Sequence, residues 1–448
     1  MRKILLPLCA LFFLPLCICR ADEPKPAFAD GVTDATAPIQ QLLDAKKAAG
    51  GTVNLPPGQY LIKGSLRIPS GVTLKGSWDA PHHGNQWQKG TTLLITGGEG
   101  AEEGPAAIEL EGDASAQGLT MAWPTQDPAQ VKAFPWAIRG HGHHDTVEDV
   151  TLMNAYQGIK MGGDNADGSL HLIRNVFGCV LRRGVMVDNT TDIGRIENVH
   201  FNPHYWLGSG HPSAGHDNFK NLSTYLTTNL EGFIFARSDW EYVENTFIWG
   251  AKSGYLFIKT KSGNCNGQFM GIGADFCKAC VQVDNIQPYG LLITNGEFTA
   301  FAGDPNAALV TSPGAGGAVQ LVNCSFWDPR THCILMQGDT AVTLSDSHIA
   351  AIPADGAIIA GKGKLIVKGC VFDSNKGPAV VLKSEVKAAI IAENLQPGGV
   401  QIDNGIGSRA VIGLNQAKPE APSPAPASSA GPQPAATNPA PPATNIHP

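Results

Sequence analysis

Ten short segments of the chain align under one another. YQGIKMGG, RRGVMVDN, LEGFIFAR, KSGYLFIK and KACVQVDN each read as a turn followed by four strand-like residues, and NAALVTSP, HCILMQGD, DGAIIAGK, GPAVVLKS and PGGVQIDN continue the series. Their anchors stand at Gly158, Gly184, Gly232, Gly254 and Cys280, then near Ala308, Cys333, Gly356, Pro378 and Gly399. The spacing is 21 to 28 residues, except for the 48 between Gly184 and Gly232, which is one repeat plus an insertion. A period in the twenties, with short strands and no helical periodicity, predicts a solenoid whose repeats bury a continuous core by stacking. Leucine-rich repeats share the period but need an L-x-x-L-x-L frame, which is absent. The pattern predicts an all-β fold, a parallel β-helix with about ten rungs after residue 145.

A second register runs in phase with the first: VEDVTLMN, LIRNVFGC, RIENVHFN, YVENTFIW, LITNGEFT, LVNCSFWD, LSDSHIAA and IVKGCVFD. An Asn or Asp recurs in it at Asp149, Asn175, Asn198, Asn245, Asn295, Asn323 and Asp346. Such side chains hydrogen-bond one another and the turn backbone from rung to rung. Cys324 and Cys370 share one place in this register and read as small buried packers. Cys277 and Cys280 form a C-x-x-C, but they lie in a turn and strand with no second ligand pair at similar spacing, so neither zinc nor redox chemistry is expected and no metal site is assigned.

The ends differ from the middle. Residues 1–21 read as a secretory signal peptide, with Arg2 and Lys3 before an apolar stretch and cleavage after Ala21. Its removal takes the formal charge from −7 to about −10. A mildly acidic exported chain is a poor nucleic-acid binder, and nothing downstream is apolar for the roughly 18 residues of a membrane span. The location expected is secreted, periplasmic or cell-surface. Residues 34–49 predict an amphipathic helix, with Ile39, Leu42 and Leu43 on one face, Asp34 and Thr36 as capping oxygens, and Gly50–Gly51 as its stop. Such a helix covers the open end of a solenoid occupying residues 22–416. Residues 417–448, dense in Pro and Ala, predict a disordered tail.

The stretch DGVTDATAPIQQLLDAKKAAGGTVNLPPGQYLI, with SGVTLKG after it, resembles the N-terminal signature of the pectate-lyase-like superfamily, in the branch of rhamnogalacturonases and phage tailspikes. The resemblance covers residues 29–76, and the repeats extend the architectural match to about residue 416. It implies a right-handed parallel β-helix, a polysaccharide or oligosaccharide substrate and, as in many relatives, a homotrimer. It does not settle the reaction. The paired-Asp motifs of polygalacturonase-type hydrolases are absent, and Gly140-His141-Gly142 stands without its Asp partners.

Candidate site residues cluster around the insertion at 203–230, which carries His204, Tyr205, Trp206, His211, His216 and Asp217. Tyr205 and Trp206 form either the floor of a sugar subsite or a small core beneath the loop. In the strand that follows, alternation puts Arg237, Asp239 and Glu241 on one face. Neighbouring rungs bring Asp188, Lys259 and Asp284 to similar heights. Carboxylates one or two rungs apart span the range that glycoside hydrolysis uses. The expected catalytic set is Asp239, Glu241 and Asp217, with Arg237, His204, Tyr205, Trp206, His216, Lys259, Asp188 and Asp284 binding substrate. Asp275 and Glu297 are second-choice carboxylates, and His200, Glu297 and His348 form an outward-facing column. The leading function is a secreted glycoside hydrolase without a cofactor. The alternatives are a uronate lyase using Arg237 or Lys259 as base, with an Asp cluster or Ca²⁺ neutralising the sugar carboxylate, and a non-catalytic glycan binder. An epimerase or transferase stays open.

Overall fold

A computed structural model describes residues 25–78, 87–163, 165–214, 218–300, 307–327, 332–350 and 352–419. The expected signal peptide and nearly all of the expected tail lie outside the described residues. Every named strand pairing is parallel, and each strand pairs with its equivalent one turn later in the chain. Three faces result. The first is built by Glu231–Phe235, Ser253–Phe257, Ala279–Val283 and Ala307–Thr311. Ser238–Glu244, Cys265–Met270, Leu291–Thr294 and Ala318–Val322 form the second. The third consists of Phe247–Trp249, Gly273–Asp275, Glu297–Thr299 and Ser325–Trp327. This is the all-β parallel β-helix that the repeat predicts.

Like side chains stack inside. Phe201, Phe233 and Tyr255 lie ring on ring at 5.4 and 4.9 Å, and Phe235 stacks on Phe257 at 5.2 Å. Each buried ring contributes about 1.5–3 kcal/mol through burial alone. The corner between the second and third faces is the Asn/Asp register. Asp149, Asn175, Asn198, Asn245, Asn295, Asn323 and Asp346 all have φ between +51° and +57°. Asn and Asp tolerate this left-handed region better than other side chains, which explains their recurrence. The expected ladder forms: Asn175 Nδ2 donates to Asp149 Oδ1 at 2.9 Å, Asn198 to Asn175 at 2.9 Å, and Asn323 to Asn295 at 2.8 Å. Cys324 and Cys370 are buried packers, and Cys277 and Cys280 are buried with their thiols on backbone carbonyls.

Helix α1 (Thr36–Lys46) caps the N-terminal end. It buries Ala35, Ile39 and Leu43, whereas Leu42 is 44% exposed, because the buried stripe follows steps of four residues. Asp34 sits one residue before the N-cap and accepts from Thr36 N at 3.0 Å and Oγ1 at 2.6 Å. Gln40 acts as a substitute strand. Its Oε1 accepts from Arg67 N at 2.8 Å and its Nε2 donates to Arg67 O at 3.0 Å, closing an edge that would otherwise pair with another chain. Gln40→Ala is expected to lower stability by about 0.5–1.5 kcal/mol, read by urea denaturation. An unchanged midpoint would show that water replaces the amide at no cost.

Candidate functional site

Arg237 and Asp239 point outward as expected, joined by Arg237 Nη2 to Asp239 Oδ2 at 2.5 Å. Glu241 does not join them. Between Ser238↔Cys265 and Glu241↔Gly267 the strand carries one extra residue, a bulge centred on Trp240 at φ +56°. One extra residue reverses the in–out alternation, so Glu241 turns into the core and is fully buried. Its Oε1 lies 3.1 Å from His171 Nε2, and its Oε2 accepts from Ser238 Oγ at 2.5 Å. The other ring nitrogen of His171 bonds Gly168 O at 2.8 Å. Burial alone would push the His171 imidazole down, yet the adjacent Glu241 carboxylate holds it above its ordinary value. Gly194 closes this pocket, since a Cβ there would lie 2.1 Å from His171 Cε1. Glu241 is thus a structural ion-pair partner, not an outer-face catalyst.

The other expected column is offset by one residue. Val187, Phe235, Phe257 and Val283 are in register, so Asp188 and Asp284 share one column while Arg237 and Lys259 share the next. Asp188 is buried and accepts from Thr260 Oγ1 at 2.8 Å and Arg237 N at 3.1 Å, which makes it a rung-to-rung brace. Asp284 accepts from Gln282 Nε2 at 3.0 Å and from Ser312 Oγ. Lys259 is exposed.

Around Asp239 lies a cleft of about 540 Å³, lined by Thr191, Asp192, Arg237, Asp239, Trp240, Asn266, Gln287 and Tyr289. Gln287 Nε2 donates to Asp239 Oδ1 at 2.5 Å, Asn266 Nδ2 to Gln287 Oε1 at 2.7 Å, and Trp240 N to Asn266 Oδ1 at 3.1 Å. This network holds Trp240 in its left-handed conformation with the indole 64% exposed, and Tyr289 is 80% exposed. A bulky residue in that conformation costs about 1–2 kcal/mol. Trp240→Asn is therefore expected to raise stability by about 0.5–1 kcal/mol, seen as a higher melting temperature. A lower one would mean the indole contributes more than its exposure suggests.

The insertion packs elsewhere. Residues His204–Leu207 form helix α2 and Phe219–Asn229 form helix α3. Trp206 is fully buried, and Tyr205 rests on His200 at 5.4 Å and on Phe177 at 6.2 Å. The pair forms the small core beneath the loop, not a sugar-binding floor, because apolar rings on a long insertion gain most by covering the outer side of the third face. None of the insertion's described residues lines the Asp239 cleft. His216 and Asp217 lie outside the described residues.

What the insertion does wall is the third face. His204 stacks on Phe219 at 5.5 Å, Phe219 meets Trp249 at 5.4 Å, and Trp249 stacks on Phe276 at 4.8 Å. Trp249 and Asp275 are paired neighbours on adjacent rungs, so Asp275 stands at the foot of this aromatic wall. Burial there raises its carboxyl above the usual range, against the pull of the Phe276 backbone N–H. On the next rung Glu297 is exposed and pairs with Gly273, two residues before Asp275. A Cβ at Gly273 would lie 2.7 Å from the Phe247 ring, so glycine lets that ring lie against the face beside both carboxylates. One strand spacing across and two residues along puts the Asp275 and Glu297 backbones roughly 8 Å apart. Beyond them a cleft of about 460 Å³ is lined by Glu297, Ser325 and His348, and the neighbouring Trp327 is 53% exposed. His200, Glu297 and His348 do fall in one outward column, through Phe247, Gly273 and Ser325. Asp373 accepts from His348 Nε2 at 2.6 Å and pairs with Lys418.

Residues 26–96 match the family model described as rhamnogalacturonase A/epimerase, pectate lyase-like. The solved structure of the pre-mature bacteriophage phi29 gene product 12 is similar at a TM-score of 0.57 and 13% identity, over 87% of this chain and 54% of that one. The likeness is one of fold, the parallel β-helix. The chain spans about half the length of the phi29 protein. Similarity extends to the tailspike of E. coli bacteriophage HK620, solved with a pentasaccharide, at a TM-score of 0.45, 10% identity, and 87% and 76% coverage. A third is PfbA, a surface adhesin of Streptococcus pneumoniae, at 0.43, 16% identity, and 82% and 88% coverage. No curated protein sequence matches.

Around these clefts, sequence reasoning reached Arg237, Asp239, Asp275 and Glu297 but not Trp240, Tyr289, Asp192, Asn266 or Gln287. One signal was present. Trp240 falls between charged residues, off the apolar pattern, and Tyr289 lies in a Gln-Pro-Tyr-Gly turn, where a large ring has no core to enter.

Proposed function

We propose that the protein acts on glycans, as an exported glycoside hydrolase working by inversion on its third face. Asp275, whose carboxyl burial raises above the usual range, donates to the leaving oxygen. Glu297, open to solvent, takes the proton from the attacking water. The observation that carries this reading is the pair itself: two outward carboxyls on adjacent rungs, one half-buried against the Trp249–Phe276 wall and one exposed. Their backbones stand roughly 8 Å apart, which leaves the two side chains able to reach the carboxyl spacing that inverting hydrolysis uses. The family description matched by residues 26–96 supports a carbohydrate substrate. A lyase is less well supported, since the Arg237 guanidinium is tied to Asp239.

A second reading, glycan binding without turnover, is favoured by the exposed rings of Trp240, Tyr289 and Trp327. The test is digestion of a glycan panel with product analysis. New reducing ends of inverted anomeric configuration, without ultraviolet-absorbing unsaturated sugars, are expected. Unsaturated products would replace the hydrolase with a lyase, and retention without turnover would leave a binder.

A further inference from the structure

The cleft around Asp239 has features that hydrolysis on the third face does not use. Two large aromatic rings stand into solvent on its rim, one of them held in a backbone conformation that Trp seldom adopts. Strain of this kind persists only where surrounding structure imposes it. Here the imposing groups are Asn266, Gln287, Asp239 and Arg237, contributed by successive rungs and already bonded to one another. A folding core has no need of exposed rings, and Trp240 and Tyr289 both line the cleft beside planar amide, carboxylate and guanidinium groups.

We infer that this cleft is a second carbohydrate-binding site, separate from the third-face carboxylates, and that it takes uncharged pyranose units of a polysaccharide. Stacking of the rings on sugar C–H faces supplies the binding area, and the prearranged amide and carboxylate groups meet hydroxyls without further ordering cost. Charge selects the class of sugar. Asp192 and Asp239 outweigh Arg237, whose guanidinium is ion-paired with Asp239, so among the described residues the lining is net acidic and disfavours a uronate. Such a site would hold the enzyme on a polymer while the third face cleaves it. The inference stands whether or not the third face is hydrolytic.

The test is native affinity electrophoresis of the full chain carrying Asp275→Asn, so that degradation of the polymer is slowed. The gels contain galactan, galactomannan or xyloglucan, with polygalacturonate as the charged comparison. At least one neutral polymer is expected to retard the protein. Adding Trp240→Asn, which relieves the backbone, or Tyr289→Ala, on an exposed turn, is expected to weaken that retardation at least tenfold. Thermal melting verifies that each variant is folded. Retardation that survives both substitutions, or retardation by polygalacturonate alone, would overturn the inference, as would failure of all three neutral polymers. The third-face reading fails on a different result, namely wild-type turnover in Asp275→Asn.

Discussion

Asp275→Asn and Glu297→Gln are each expected to lower kcat by about 10²–10⁴-fold on the glycan that the panel identifies, with the fold unchanged. The size follows from the chemistry. Asn cannot give a proton to the leaving oxygen, and Gln cannot take one from water. Asp275 also sets a pH signature. Its carboxyl is raised by burial, so the working protonated form survives to higher pH than an exposed Asp would allow, and the alkaline limb of the rate profile belongs to it. In Asp275→Asn that limb should disappear from the residual activity. A substrate whose leaving group needs no proton should recover much of the rate in this variant. Full activity in both variants would end the assignment. Loss of turnover in Asp239→Asn, with Asp275→Asn still active, would move the chemistry to the other cleft.

The second large effect is on stability. Glu241→Ala is expected to destabilise the fold by about 3–5 kcal/mol, because it leaves the fully buried His171 without its counter-charge and Ser238 without its acceptor. The pH dependence has a defined direction. His171 is raised in the folded state, so the stability it contributes is fully present below the unfolded histidine value of about 6.5 and is lost as pH rises through the folded value. Glu241→Gln keeps the shape and the Ser238 bond but removes the charge. It should fall between wild type and Glu241→Ala, and should abolish this loss at higher pH. Urea denaturation from pH 5 to pH 9 reads both effects. A wild-type stability that rises across that range, with no difference in Glu241→Gln, would remove the ion pair from the account.

The comparison of Glu241 with Asn175 shows which kinds of information the chain carries openly. The recurring Asn and Asp were legible because each residue solves a local problem, a left-handed corner, and the same problem returns every rung. The capping helix was legible for a similar reason, since its apolar spacing and flanking glycines act within a few residues. The direction of Glu241 was not. Alternation is a local rule, and the bulge at Trp240 that breaks it is set by pairing with Cys265–Met270, on the next rung. The same holds for Tyr205 and Trp206. As residue types they suit a sugar floor or a core equally, and only the position of Phe177 and His200 beneath them decides for the core.

By itself, then, the sequence determined the solenoid, its corners, its N-terminal cap and the presence of carboxylates on successive rungs, because stacking repeats one set of short-range requirements along the chain. The tertiary structure alone decided which carboxylates face outward, which aromatic rings stay in water, and which face the insertion covers. Those outcomes depend on a one-residue register and on contacts between segments distant in the chain, and no local pattern encodes either.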